Sequence, residues 1–150
     1  MATRLSEIAA ILRRAGLIGL DDLPPAAPLA GGVSSDIWRV DLAIGPVCVK
    51  RALAKLKVEA DWRAPVERNA YEAAWMRTAR AAAPAAVPPL VTRDEAADAL
   101  VMGFLDPGRY RLWKSELRDG RADPLQAAAV GEVLVRIHAA TALDPDVAAR

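Results

Sequence analysis

Cysteine and histidine occur once each in this chain, as Cys48 and His138. A lone cysteine excludes an internal disulfide. With no second histidine or cysteine to join it, His138 cannot build a zinc-type centre and reads as a packed or capping helix residue. Charge of one sign is also missing. Lys and Arg total 20 against 19 Asp and Glu, a net charge of +1, so the basic field of a dedicated nucleic-acid binder is not there. No apolar run reaches the length of a membrane span. The one N-terminal apolar stretch is broken by Glu7, Arg13 and Arg14, which leaves no signal-peptide layout. A protein of the reducing cytoplasm, with neither a nucleic-acid nor a membrane partner, is the expectation. Internal repeats are absent too.

What is present suffices for a core. The chain has 150 residues, one domain or one substantial lobe, and a compact chain of this size buries roughly 68–70% of its unfolded surface. Composition is 53% hydrophobic and 26% charged, the balance of a globular rather than a disordered chain. Much of the apolar content is alanine, which favours helix but fills little volume.

The most informative stretch runs from Leu29 to Leu53. Gly31, Gly32, Ser34 and Ser35 open it, Ile37 to Leu42 alternate, Gly45-Pro46 make a turn, and Val47 to Lys50 form a second extended run. This predicts a β-hairpin with a small-residue loop at its mouth. Glycine lets a backbone approach a bulky anion, and N–H groups there can bind phosphate. Period-two alternation puts Cys48 and Lys50 on one strand face and Val47 and Val49 on the other. If Lys50 meets a phosphate, Cys48 lines the same cleft. Taken alone, an ordinary hairpin with a solvated lysine explains these residues equally well.

Around this stretch, Thr3 to Ala15 reads as an amphipathic helix with Leu5, Ile8, Ala9 and Leu12 on one face and Gly16 at its end. Asp21-Asp22 reads as solvated loop charge rather than a metal pair. Arg51 to Ala64 is a connection with a short helical piece. Pro65 to Ala83 is a helix with proline and Glu67 in its first turn and an apolar face on Tyr71, Trp75 and Met76. Glu72 lies beside that face, free to point inward or to pair with Arg68 or Arg77 on the surface. A first strand near Pro28–Gly31, an extended Pro88 to Arg93 and a buried strand Ala99 to Leu105 complete a strand-rich middle. Asp106-Pro107-Gly108 ends that strand, a helical turn follows over Tyr110 to Glu116, and Asp123-Pro124 opens a last helix, Leu125 to Thr141. Strands with a helix laid on one side predict an antiparallel sheet and the α+β class.

In order and spacing, GGVSSDIWRV, VCVK, RNAYEAAW, VPPL, LVMGFL and LVRIHAAT together resemble the N-terminal portion of the aminoglycoside phosphotransferase family, small-molecule kinases of the protein-kinase-like fold, over Pro28 to Thr141. The resemblance implies a kinase-like N-lobe: an antiparallel five-stranded sheet with one packed helix, preceded by an N-terminal helix and followed by the first helices of a truncated C-lobe. The corresponding segments are an N-terminal helix and linker over 1–27, a nucleotide-binding lobe over 28–105 and the start of a helical C-lobe over 106–150. ATP is the cofactor implied, and transfer of its γ-phosphate to a hydroxyl of a small substrate is the reaction.

The same resemblance implies roles. Gly31, Gly32, Ser34 and Ser35 would form the loop over the β- and γ-phosphates. Ile37 would pack on the adenine, and Lys50 would contact the α- and β-phosphates with Glu72 holding it. Met102 would stand at the back of the adenine pocket, and the Gly103 carbonyl and Leu105 N–H would meet the adenine edge. Cys48 departs from the pattern, which carries an aromatic residue or alanine there; a thiol offers no ring to stack. The family's His-Gly-Asp catalytic loop and metal-binding Asp segment would lie beyond the His138 helix, and this sequence contains no His-Gly-Asp. No catalytic residue and no metal ligand is therefore expected in these residues, Mg²⁺ belonging to a complete enzyme, and phosphate transfer by them alone is expected to be negligible. The alternative is a non-catalytic binding module derived from such a lobe, which docks on a missing C-lobe or a partner chain. The acceptor is not legible, and the family's name does not supply it.

Overall fold

A computed structural model describes residues 2–149. The elements in order are α1 (Ala2–Arg14), β1 (Ala26–Pro28), β2 (Ser35–Leu42), β3 (Gly45–Ala52), α2 (Arg68–Ala82), β4 (Leu90–Asp94), β5 (Ala99–Gly103), α3 (Trp113–Arg118), α4 (Pro124–Thr141) and α5 (Pro145–Ala148). The strands form one five-stranded antiparallel sheet in the order β1-β2-β3-β5-β4. The class is α+β, as expected. The chain falls into two compact units, Met1–Ala74 with Pro89–Phe104, and Trp75–Pro88 with Leu105–Arg150.

The first unit holds the sheet. Alternation along β2, β3 and β5 gathers Trp38, Val40, Val47, Val49, Ala99 and Val101 into one buried layer, and α1 lays Ile8, Ile11 and Leu12 on it. Three ion pairs fasten the helix to the strands: Arg4 with Asp36 of β2, Glu7 with Arg51 of β3 at 2.7 Å, and Arg14 with Asp94 of β4 at 2.7 Å. Gly16, at φ +67°, ends α1 as expected. Its N–H reaches Arg13 O at 2.9 Å and the Leu17 N–H reaches Leu12 O at 2.9 Å, the paired bonds of a Schellman cap.

Several boundaries differ from expectation. β1 lies at Ala26–Pro28, upstream of Pro28–Gly31, because Pro25 O and Leu29 N hold the register against Asp41 and Ile37. The hairpin turns at Ala43-Ile44, and Gly45, at φ +113°, begins β3 instead of forming the turn. No helical piece interrupts 53–67. An isolated bridge between Lys55 and Arg63, with Leu56 N–H on Trp62 O at 2.9 Å, folds that connection back on itself. α2 begins at Arg68, so Pro65 and Glu67 precede the helix. Its buried positions are Asn69, Ala73, Met76 and Ala79, spaced by three and four, whereas Tyr71 is 67% and Trp75 56% exposed. The expected aromatic face is thus replaced by one of mostly small side chains.

In the second unit Arg80 closes the turn after α2 by donating to Val87 O at 2.6 Å. Asp123 caps α4 as expected, accepting from Leu125 N–H at 2.9 Å with Pro124 in the first turn. Along α4 only Ile137 is buried, and His138 is exposed at the surface. The short α5, capped by Asp144, had no sequence counterpart. Among the described residues no helix is long and apolar enough to cross a membrane.

Candidate functional site

With α1 covering one face of the sheet, the opposite face carries the residues of interest. The strand register sets Ile37 beside Lys50, Arg39 beside Cys48, and Cys48 beside Met102. Ile37, Cys48, Lys50 and Met102 therefore share one face. Lys50 Nζ donates to Glu72 Oε1 at 2.5 Å, joining the middle strand of the sheet to α2. Both side chains are partly open, 25% and 35% exposed, so the pair contributes about 1 kcal/mol or less to stability. Its consequence is positional. An ammonium has three N–H donors, and this bond uses one of them, fixing a cation in place. Of the alternatives open to Glu72, the structure selects Lys50.

The glycine-serine loop enters this face at the Ile37–Lys50 end. Gly31 adopts φ +98°. A Cβ on Gly32 would come within 2.9 Å of Ser35 O and 3.1 Å of Ile37 Cδ1, so no side chain fits there without moving backbone. The loop's carbonyls point back into the protein: Val33 O accepts from Lys57 N–H at 2.8 Å and Ser34 O from Leu53 N–H at 3.0 Å. Ser35 is the buried first residue of β2. Asp36, also buried, is paired with Arg4 and, at 2.6 Å, with Lys57.

At the other end, Met102 is buried between Cys48 and Leu90 in the register. Gly103 closes β5. A Cβ there would meet Pro89 Cγ and Cδ at 2.9 Å, and its N–H donates to Pro89 O at 2.9 Å. Leu105 is exposed and belongs to the second unit. The first unit thus sets Ile37, Cys48, Lys50 and Met102 on one sheet face, with Glu72 reaching Lys50 from α2, Gly31 and Gly32 in the flanking loop and Gly103 at the end of β5, and it does not include Leu105.

Arg39 was missed at the sequence level. It shares the face of Ile37 and Cys48, its guanidinium stands 4.9 Å from the centre of the Phe104 ring, and its Nε pairs with Asp41 at 2.9 Å. The alternation that placed Cys48 and Lys50 places Arg39 as well, so the signal was available. Arg68, with bonds to the loop, left no such signal.

Burial pushes the Cys48 thiol above its ordinary range; the nearby Lys50 charge opposes the shift and Glu72 adds to it. The thiolate is the reactive form. Cys48 is therefore expected to react with iodoacetamide more slowly than free cysteine at neutral pH, with the rate climbing only above the usual thiol range near pH 8.5. A neutral-pH rate equal to that of free cysteine would contradict this environment.

No protein-family model and no curated protein matches the chain. Among solved structures, it is similar to a crystal structure described, provisionally, as a fructosamine-3-kinase from Thermobifida fusca YX-ER1, with 21% sequence identity and a TM-score of 0.43 over 65% of this chain. The matched part is 31% of that structure's chain, so this chain spans less than a third of it.

Proposed function

We propose that these residues are the nucleotide-holding part of an ATP-dependent small-molecule phosphotransferase of the aminoglycoside phosphotransferase type. The observation that carries the reading is the Lys50–Glu72 bond of 2.5 Å, set on the same sheet face as Ile37, Cys48 and Met102 and beside a loop that admits only glycine at position 32. Phosphoryl transfer asks a protein mainly to position the phosphates and meet their charge. A lysine held by a carboxylate is a fixed point charge for that purpose, and a glycine-rich loop lets backbone N–H groups come close to phosphate oxygens.

In this reading the backbone of Gly31, Gly32, Ser34 and Ser35 covers the β- and γ-phosphates and Lys50 meets the α- and β-phosphates. Ile37, Cys48 and Met102 form the apolar seat of the base. The Gly103 carbonyl meets its polar edge. ATP, when bound, supplies the phosphoryl group that a small hydroxyl compound accepts. The general base and any metal ligands are not assigned to these residues, so binding without turnover is the proposed behaviour of this stretch by itself.

Isothermal calorimetry tests it. ATP, titrated with and without Mg²⁺, is expected to bind saturably and more tightly than adenosine, because the phosphates carry the recognition. ATP should also slow alkylation of Cys48. Absence of heat at millimolar ATP, with no protection of the thiol, would remove the nucleotide reading.

A further inference from the structure

Arg68 stands at the start of α2, one turn before Glu72. Its Nη1 donates to Ala64 O at 3.1 Å and Pro65 O at 2.5 Å, and its Nη2 to Ser34 O at 2.6 Å and Leu53 O at 2.8 Å. A guanidinium carries four Nη hydrogens, and these four bonds account for all of them. The acceptors come from three segments: the glycine-serine loop, the residue after β3, and the lead-in to α2. Each is a backbone carbonyl. With its Nη donors so committed, this side chain acts on the backbone around it.

We infer that Arg68 is a positioning residue that latches the 31–35 loop to the helix carrying Glu72. Its effect on binding rests on the nucleotide reading above, whereas the latch itself does not. In a trans peptide the C=O and the following N–H point in opposite directions. Ser34 O is drawn inward by both Arg68 Nη2 and Leu53 N–H, so the N–H of Ser35 is turned away from them. Val33 O is drawn inward by Lys57 N–H, which turns the N–H of Ser34 likewise. Arg68 thereby sets the direction of a loop donor that it does not touch. Because residues four apart on a helix lie on neighbouring turns of one face, the latch also ties the loop and the Lys50–Glu72 pair to a single frame: a shift of α2 moves both. Lysine cannot replace it, since one ammonium lacks the planar fork that serves two pairs of carbonyls at once.

The test compares wild type, Arg68→Ala and Arg68→Lys by amide hydrogen exchange without nucleotide, and by calorimetry with ATP. In Arg68→Ala the Leu53 and Lys57 amides, the donors to Ser34 and Val33, should exchange about tenfold faster, while the sheet amides of Val49 and Val101 hold their rates. ATP affinity should fall by about tenfold. Millimolar guanidinium ion should restore both in Arg68→Ala and change neither in wild type, and Arg68→Lys should not recover the wild-type values. Unchanged exchange at Leu53 and Lys57 would overturn the latch. So would exchange that rises equally across the sheet with no response to guanidinium, which marks plain destabilisation. If wild type fails to bind ATP, the nucleotide reading falls while the exchange measurements still decide the latch.

Discussion

Replacing Lys50 with alanine is expected to weaken ATP binding by on the order of 30-fold in calorimetry while leaving the thermal transition nearly in place. A hydrogen bond to a charged group is worth about 1.5–3 kcal/mol, and about 1.4 kcal/mol is a factor of ten in affinity. Lys50 is held by Glu72 before any ligand arrives, so its contact with phosphate costs little ordering of a flexible side chain. Stability should barely respond. Glu72, with 35% of its side chain exposed, can be hydrated once its partner is gone, and part-exposed ion pairs contribute little. Glu72→Gln separates the two duties. It keeps an acceptor near Lys50 and removes the carboxylate charge, so a smaller loss of affinity is expected than in Lys50→Ala. Unaltered ATP binding in Lys50→Ala would take this lysine out of the site.

The largest stability effect should come from the other side of the sheet. Leu12 is fully buried, at 0% exposure, against the layer of Trp38, Val40, Val49 and Val101. Leu12→Ala removes apolar area and leaves a cavity, a combination that costs about 3 kcal/mol in a core that cannot collapse around it. Denaturant titration followed by circular dichroism should show a lower midpoint with little change in slope. A loss under about 1 kcal/mol would mean that α1 is not part of the sheet's core. ATP affinity of the folded fraction should be unaffected, since Leu12 and Lys50 lie on opposite faces.

Much of this was legible because it is written in local periodicity. Alternation separated Val47 and Val49 from Cys48 and Lys50, Gly16 announced the end of α1, and Asp123-Pro124 announced the start of α4. The parts that were misread depend on which neighbour comes near. Tyr71 and Trp75 are the largest apolar residues on α2, yet the buried stripe is Asn69, Ala73, Met76 and Ala79; a reading by hydrophobicity ranks bulk, whereas a helix packed closely needs small side chains. Asn69 hid the stripe further, a polar residue only 2% exposed. The connection over 53–67 is shaped by backbone bonds such as Leu56 to Trp62, which any side chains would permit. The function of Arg68 was invisible for the same reason: its acceptors are carbonyls, and carbonyls leave no trace in a sequence.

The three ion pairs of α1 give the sheet a mechanical property. Asp36, Arg51 and Asp94 belong to different strands, β2, β3 and β4, so one helix spans most of the sheet's width and resists its twisting like a splint. Asp36 directly follows Ser35, and Arg51 directly follows Lys50. Stiffness supplied from behind therefore reaches the two places where loop and lysine must keep a constant spacing, so a change at Arg4 or Glu7, unlike one at Leu12, is felt at a surface that the helix never contacts.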